Sequence, residues 1–260
     1  MKTKTDAEML QSLKKANKTR REVMVKKLGY SSYEAAVADL SGNPLTINGA
    51  KETVHIVNIL DVSSSMTIDN KISRALEGLN AEVEKLSQES NVDYVYSLTT
   101  FSYSHLIKKV YNRIPIKKMK TISFGASGYT ALNDAVGQVL TELKKLQKNK
   151  ERTVISIFTD GEENDSKKFK NTDVSRLVEE CQALGMVITF IGTEKDTKDV
   201  IRNFKIDASN TLSHDNTSRG VELSFKGKLN ATVMYSNSVA KGVSQDQLIV
   251  GFYSKQTGKL

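Results

Sequence analysis

Two nearly continuous apolar runs constrain this chain more than any other feature. "TVHIVNIL" at 53–60 and "TVISIFT" at 153–159 are short and rich in β-branched residues. Such runs suit strands covered on both faces of a sheet. Helical and β-rich segments alternate around them. Ile72, Leu76, Leu79, Val83 and Leu86 recur at helical spacing within 69–90, and "VDYVYSLTTF" (92–101) follows as a strand. "HLIKKVYNRI" (105–114) reads as a polar edge strand, and 130–147 as a helix. Residues 172–184 read as a helix stopped by Gly185, and 186–192 as a strand. A short helix at 196–204, a weak strand near 206–213 and a final helix at 216–238 complete the series. This alternation predicts an α/β fold: a doubly wound, Rossmann-like, mostly parallel sheet with helices on both faces.

The flanks differ from this body. Residues 6–28 carry Met9, Leu10, Leu13, Val23, Val25 and Leu28 among many charges, which predicts an amphipathic helix closed by Gly29. A second short helix is expected at 31–40, then a turn-rich linker at 41–52. The expected organisation is a basic helical arm and linker at 1–48, the α/β domain at 49–238 and a tail at 239–260. The tail holds one apolar segment, "QLIVGFY", with no assigned place. A length of 260 residues suits one α/β domain with extensions, or two small domains.

Charge follows the same division. The net charge is +8, and residues 1–30 hold nine Lys/Arg against three Asp/Glu. The other 230 residues hold 29 against 27, so basicity belongs to the arm and points only weakly to nucleic acid. No apolar run of about 18 residues occurs, so no membrane span is expected. The start has two lysines and no apolar segment, against a signal peptide. Cys181 is the single cysteine and sits at an apolar helical phase, as a buried thiol would. These features fit a cytoplasmic protein.

Candidate chemistry lies where the buried strands end. After "HIVNIL" come Asp61, Ser63, Ser64 and Ser65, and polar groups at such a position need partners. "SGYTALNDAV" places Thr130 in a loop opening a helix, and "ISIFTDGEEN" places Asp160 directly after the second long strand. A D-x-S-x-S run alone is what helix caps look like. Three oxygen-bearing fragments at the ends of a βα pattern, where open sheets bind ligands, suggest more.

These fragments resemble the metal-ion-dependent adhesion site, or MIDAS, of von Willebrand factor A (vWA) domains. "DVSSSM", "GYTAL" and "TDGEEN" look like that family's three metal-site segments in order, and the likeness covers roughly residues 53–215. The resemblance implies strand order 3-2-1-4-5-6. It further implies that Ser63 and Ser65 bind Mg²⁺ or Mn²⁺ through their hydroxyls and Thr130 does so directly or through water. Asp61 and Asp160 would act largely through bridging waters. Hard oxygen donors suit Mg²⁺, which keeps several waters, and no thiolate or imidazole that would select another metal lies near. Ser64 stands where the family usually has glycine, and Tyr129 where a second glycine often precedes the threonine. The acidic run Glu162, Glu163 and Asp165 reads equally as a solvated loop or a functional rim.

The expected function is a metal-dependent, adaptor-type module that docks an Asp or Glu carboxylate of a protein partner on the ion. Intracellular family members often work inside larger assemblies and compact copies occur in phage and other mobile elements, so the resemblance fits a phage or bacterial component. A nucleic-acid or ribonucleoprotein component using Lys14, Lys15, Lys18, Arg20, Arg21, Lys26 and Lys27 is the alternative, although the arm lacks aromatic interleaving. A metal-dependent hydrolase ranks third, since nothing singles out Asp160 as a general base. There is no P-loop, "FGASGY" is only a G-x-x-G, and His55, His105 and His214 lack metal-ligand spacing. No catalytic residue is expected.

Overall fold

The computed structural model describes residues 6–27, 33, 36–37, 51–146 and 151–254. Six strands form one sheet: β1 (Thr53–Asp61), β2 (Asp93–Phe101), β3 (Ile107–Pro115), β4 (Arg152–Phe158), β5 (Val187–Thr193) and β6 (Thr211–His214). Their order is β3-β2-β1-β4-β5-β6. All neighbours are parallel except β3, which runs antiparallel to β2 at the edge. Every residue of β4, and all of β1 after Thr53, is buried, as the apolar runs require. No residue of β3 is fully buried, and the exposed Lys108 and Lys109 guard that edge against further pairing.

Two helical layers cover the sheet. Helices α3 (Lys71–Gln88) and α7 (Ser218–Ala240) pack on the face carrying Ile56, Leu60, Val154 and Phe158. Helices α4 (Leu132–Leu146), α5 (Asn171–Ala183) and α6 (Glu194–Phe204) pack on the face of Val57, Ile59, Ile155 and Ile157. The alternation along each strand divides the apolar side chains between these layers. Cys181 is fully buried in the second, and burial pushes its thiol up to about 11.

The buried line of α3 differs from the apolar stripe expected. It runs through Lys71, Ala75, Leu79, Glu82 and Leu86, while Ile72, Leu76 and Val83 flank it half-buried. The two charged members are tolerated because each has an opposite charge against it, Asp160 for Lys71 and Lys228 for Glu82.

The arm departs from the single helix expected at 6–28. It forms α1 (Asp6–Lys15) and α2 (Lys18–Lys27), broken at Ala16 and Asn17. Asn17 Oδ1 accepts from Arg20 N at 3.0 Å, the local bond by which asparagine starts a new helix. Leu13, Val25 and Ala36 make a small apolar cluster of their own. Most of the helix expected at 31–40, and Gly29 with most of the linker, lie outside the described residues. The "QLIVGFY" segment lies against the sheet's β5–β6 side. Leu248, Phe252 and Tyr253 are buried with the α3–α7 layer, and Asn210 bonds both Ile249 O and Phe252 N.

Candidate functional site

Parallel pairing of β1 with β4 brings the two aspartates together. Asp61 is the last residue of β1 and fully buried; Asp160 lies two residues beyond β4. Thr159 donates its hydroxyl proton to Asp61 Oδ2 at 2.5 Å, and Ser63 N–H donates to Asp61 Oδ1 at 2.7 Å. Ser63 Oγ and Ser65 Oγ share a hydrogen bond of 2.9 Å, and Ser65 donates to Asp160 Oδ1 at 2.6 Å. Thr130 completes the group from a third segment. A side-chain carbon placed on Gly161 would stand 3.1 Å from Thr130 Oγ1, 3.4 Å from Ser65 Oγ and 3.9 Å from Asp61 Oδ2. Glycine at 161 thus leaves space bordered by hydroxyls and a carboxylate. The structure thus brings the five predicted side chains into one group at the carboxyl edge of the sheet, three bordering the Gly161 space and two hydrogen-bonded to Ser65.

Residues the sequence did not assign to the site hold these segments in place. Ser64, at the usual glycine position, clasps the second segment: its N–H donates to Gly128 O, and its Oγ accepts from Gly128 N, both at 2.9 Å. Gly128 has φ +99°, and a side chain there would collide with the Tyr103 ring at 2.3 Å. Asn164 bonds Thr130 twice, accepting from its N–H at 2.9 Å and donating to its carbonyl at 3.0 Å. Glu163 accepts from Asn133 N in the first turn of α4, and from the amides of Asp165 and Ser166. Asp165 accepts from Ser104 N, while Glu162 pairs at the surface with Lys195. The acidic run is therefore mainly loop scaffolding, which fixes where Thr130 points.

The electrostatics are uneven. Burial pushes the Asp61 carboxyl up to about 7, with the Thr159 and Ser63 hydrogen bonds pulling the other way and nearby Asp160 adding to the rise. Asp160 has a basic side chain against it. Lys71, only 1% exposed, is ion-paired with Asp160 Oδ2 and donates to Asn216 Oδ1 at 2.5 Å. Lys71 reaches inward because the turn at Ser64–Asn70 ends with Asp69 and Asn70 in the left-handed region, at φ 52° and 55°, which sets where α3 begins. No periodicity of the sequence signalled this lysine.

Of the histidines, His55 stands apart from this point, whereas His214 lies within electrostatic reach of Asp160 and Lys71. His55 is buried at the amino end of β1, bonded to Ser97 Oγ at 2.7 Å, and His214 stacks on Phe158. Among the described residues no three His, Cys, Asp or Glu side chains cluster, so an ion held here would depend on hydroxyls. Tyr129, 60% exposed, packs edge-to-face on Tyr103, which stacks on His105, giving the site an aromatic rim.

Comparisons with known proteins agree with this architecture. No curated protein matches the sequence. Among solved structures, proximal thread matrix protein 1 from the mussel byssus is similar at 14% identity and a TM-score of 0.51. The match covers 77% of this chain and 52% of the mussel protein, so the chain spans about half of that protein's length. The SpRpn10 VWA domain matches at 14% identity over 69% of this chain and 95% of its own, with a TM-score of 0.49. A von Willebrand factor type A protein from Catenulispora acidiphila matches at 14% over 70% and 43%, with a TM-score of 0.47. At 14% identity the mussel match speaks to fold alone. The family description "von Willebrand factor type A domain" matches residues 55–222, which begin inside β1 and end in the first turns of α7. The chain belongs to the von Willebrand factor type A domain family, whose fold fits a protein-interaction module.

Proposed function

We propose that the cluster is a metal-ion-dependent adhesion site through which the chain docks an acidic side chain of a protein partner. One observation carries this reading: Asp61, Ser65 and Thr130, from three distant segments, border the space beside Gly161, and Ser63 and Asp160 are hydrogen-bonded to Ser65. The donor set fits a hard dication, with three neutral hydroxyls, two carboxylates and no sulfur or imidazole. Ser63 and Ser65 would hold Mg²⁺ or Mn²⁺ through their hydroxyls, Thr130 directly or through water, and Asp61 and Asp160 through bridging waters. When bound, the ion supplies a positive centre that accepts a carboxylate. The chain's own groups do the rest. Thr159 orients Asp61, Asn164 orients Thr130, and Ser64 ties the first segment to the second. Tyr129 and Tyr103 offer apolar contact beside the docking point.

Titration calorimetry of the full chain tests the reading. Mg²⁺ or Mn²⁺ is expected to bind at millimolar concentration or below, and Asp61→Ala to abolish binding. At 100 times the dissociation constant, the ion should stabilise the parent by about 2.7 kcal/mol. Identical heats from parent and variant would remove the metal from the proposal.

A further inference from the structure

We propose that Lys71 is a built-in counter-charge that leaves the ion-loaded site one unit positive, so that metal and carboxylate bind as a pair. The inference rests on the metal reading above and concerns what this chain adds to it. Asp160 uses its two oxygens differently: Oδ1 accepts from Ser65, within the hydroxyl cluster, and Oδ2 is paired with Lys71. The ammonium therefore engages Asp160 without taking the oxygen that faces the serines. It is shielded from water and held by Asn216 as well, so its charge acts at close range with little screening.

A charge count then decides the behaviour. With both carboxyls ionised, as ion binding requires, Asp61 and Asp160 together balance a dication. With Lys71 present the loaded site carries +1, and one incoming carboxylate restores neutrality. The neighbouring acids do not undo this. Glu162 is paired with Lys195 and Asp165 with Lys167, and Glu163 and the buried Asp196 are engaged by neutral donors at the amino ends of α4 and α6, where the helix dipoles favour their charges. A net charge in a buried setting is costly. Metal alone should therefore bind weakly, and each ligand should strengthen the other by the same factor.

The test is calorimetric titration of Mn²⁺ into the full chain, with and without excess acetate, correcting for acetate's own hold on Mn²⁺. Parent, Lys71→Gln and Lys71→Arg are compared. Acetate is expected to tighten Mn²⁺ on the parent about tenfold or more. Lys71→Gln, which keeps a donor but loses the charge, should bind Mn²⁺ about tenfold tighter than the parent without acetate and gain little from adding it. Lys71→Arg should follow the parent. If Mn²⁺ binds the parent in an Asp61-dependent way but acetate has no effect, or Lys71→Gln binds no tighter, the role given to Lys71 falls and the adhesion site stands. If neither parent nor Lys71→Gln binds Mn²⁺, both proposals fall. Should Lys71→Gln fold only with Mn²⁺ present, the ion has taken over the ammonium's charge, in the proposal's favour. Should it fold under neither condition, the acetate dependence of the parent and of Lys71→Arg decides.

Discussion

Two buried ion pairs in this molecule share their chemistry and differ in what surrounds them. Lys228 of α7 meets Glu82 of α3, both side chains 2% exposed, in the middle of the helix–sheet interface. The second Glu82 oxygen accepts from Asn58 Nδ2 and from Tyr96 OH, each at 3.2 Å, so the carboxylate is closed on all sides. Asp160 instead has its second oxygen on a serine hydroxyl at the sheet's edge, beside space that Gly161 keeps free. A closed pair registers two helices against a sheet. A pair with one oxygen turned toward hydroxyls has capacity left for a ligand.

Substitutions can break or sharpen that contrast. The largest effect is expected from Glu82→Ala, which leaves the Lys228 ammonium buried and alone: urea unfolding should show a loss of about 3–5 kcal/mol. Mn²⁺ affinity should not change, and a large change would erase the distinction between the two pairs. Next comes a third polar cluster on the same strand, at its amino end. Burial, helped by the Arg113 guanidinium, holds His55 down at about 4, against the ordinary 6.5 it regains on unfolding. The unfolded chain thus binds the proton more readily, and stability should drain away as pH falls from about 6.5 toward 4, by up to about 3 kcal/mol. His55→Gln should flatten that part of a pH-dependent unfolding series; an unchanged slope would acquit His55. The smallest loss of stability, about 1–3 kcal/mol, is expected from Asp160→Asn, because asparagine still accepts from Lys71 and Asn216 remains. Yet this mildest variant should abolish the Mn²⁺-dependent rise in melting temperature. Equal damage from Glu82→Ala and Asp160→Asn in both assays would mean the pairs are not different in kind.

The fold was legible because its signal is hydrophobic. The runs at 53–60 and 153–159, short and rich in β-branched residues, read as interior strands, and their adjacency in the sheet followed from the resemblance rather than from composition. Residue type at strand ends singled out the three oxygen-bearing fragments, whereas the convergence of Asp61, Ser63, Ser65, Thr130 and Asp160 followed from the resemblance. Lys71, Glu82 and Lys228 were not, because a lysine or glutamate in a helix ordinarily faces water, and only a partner brought by tertiary structure reverses that. Glu82 did leave a trace, since it follows Leu79 by three residues and precedes Leu86 by four, on the buried line. The Ser64–Gly128 clasp and the Asn164 bonds to Thr130 left none, because each joins a small polar residue to the backbone of a segment far away in sequence. The break at Asn17 was readable in principle: an asparagine three residues before Arg20 is an ordinary start signal that the apolar pattern overrode.

The pairing of β1 with β4 joins stretches about a hundred residues apart, the kind of contact that forms late because a long loop must close first. Before that closure the aspartates and serines are scattered along a loose chain with nothing to hold them together. An ion at this place would therefore not guide assembly. It would register that assembly is finished, and a partner drawn to it would meet only completed molecules.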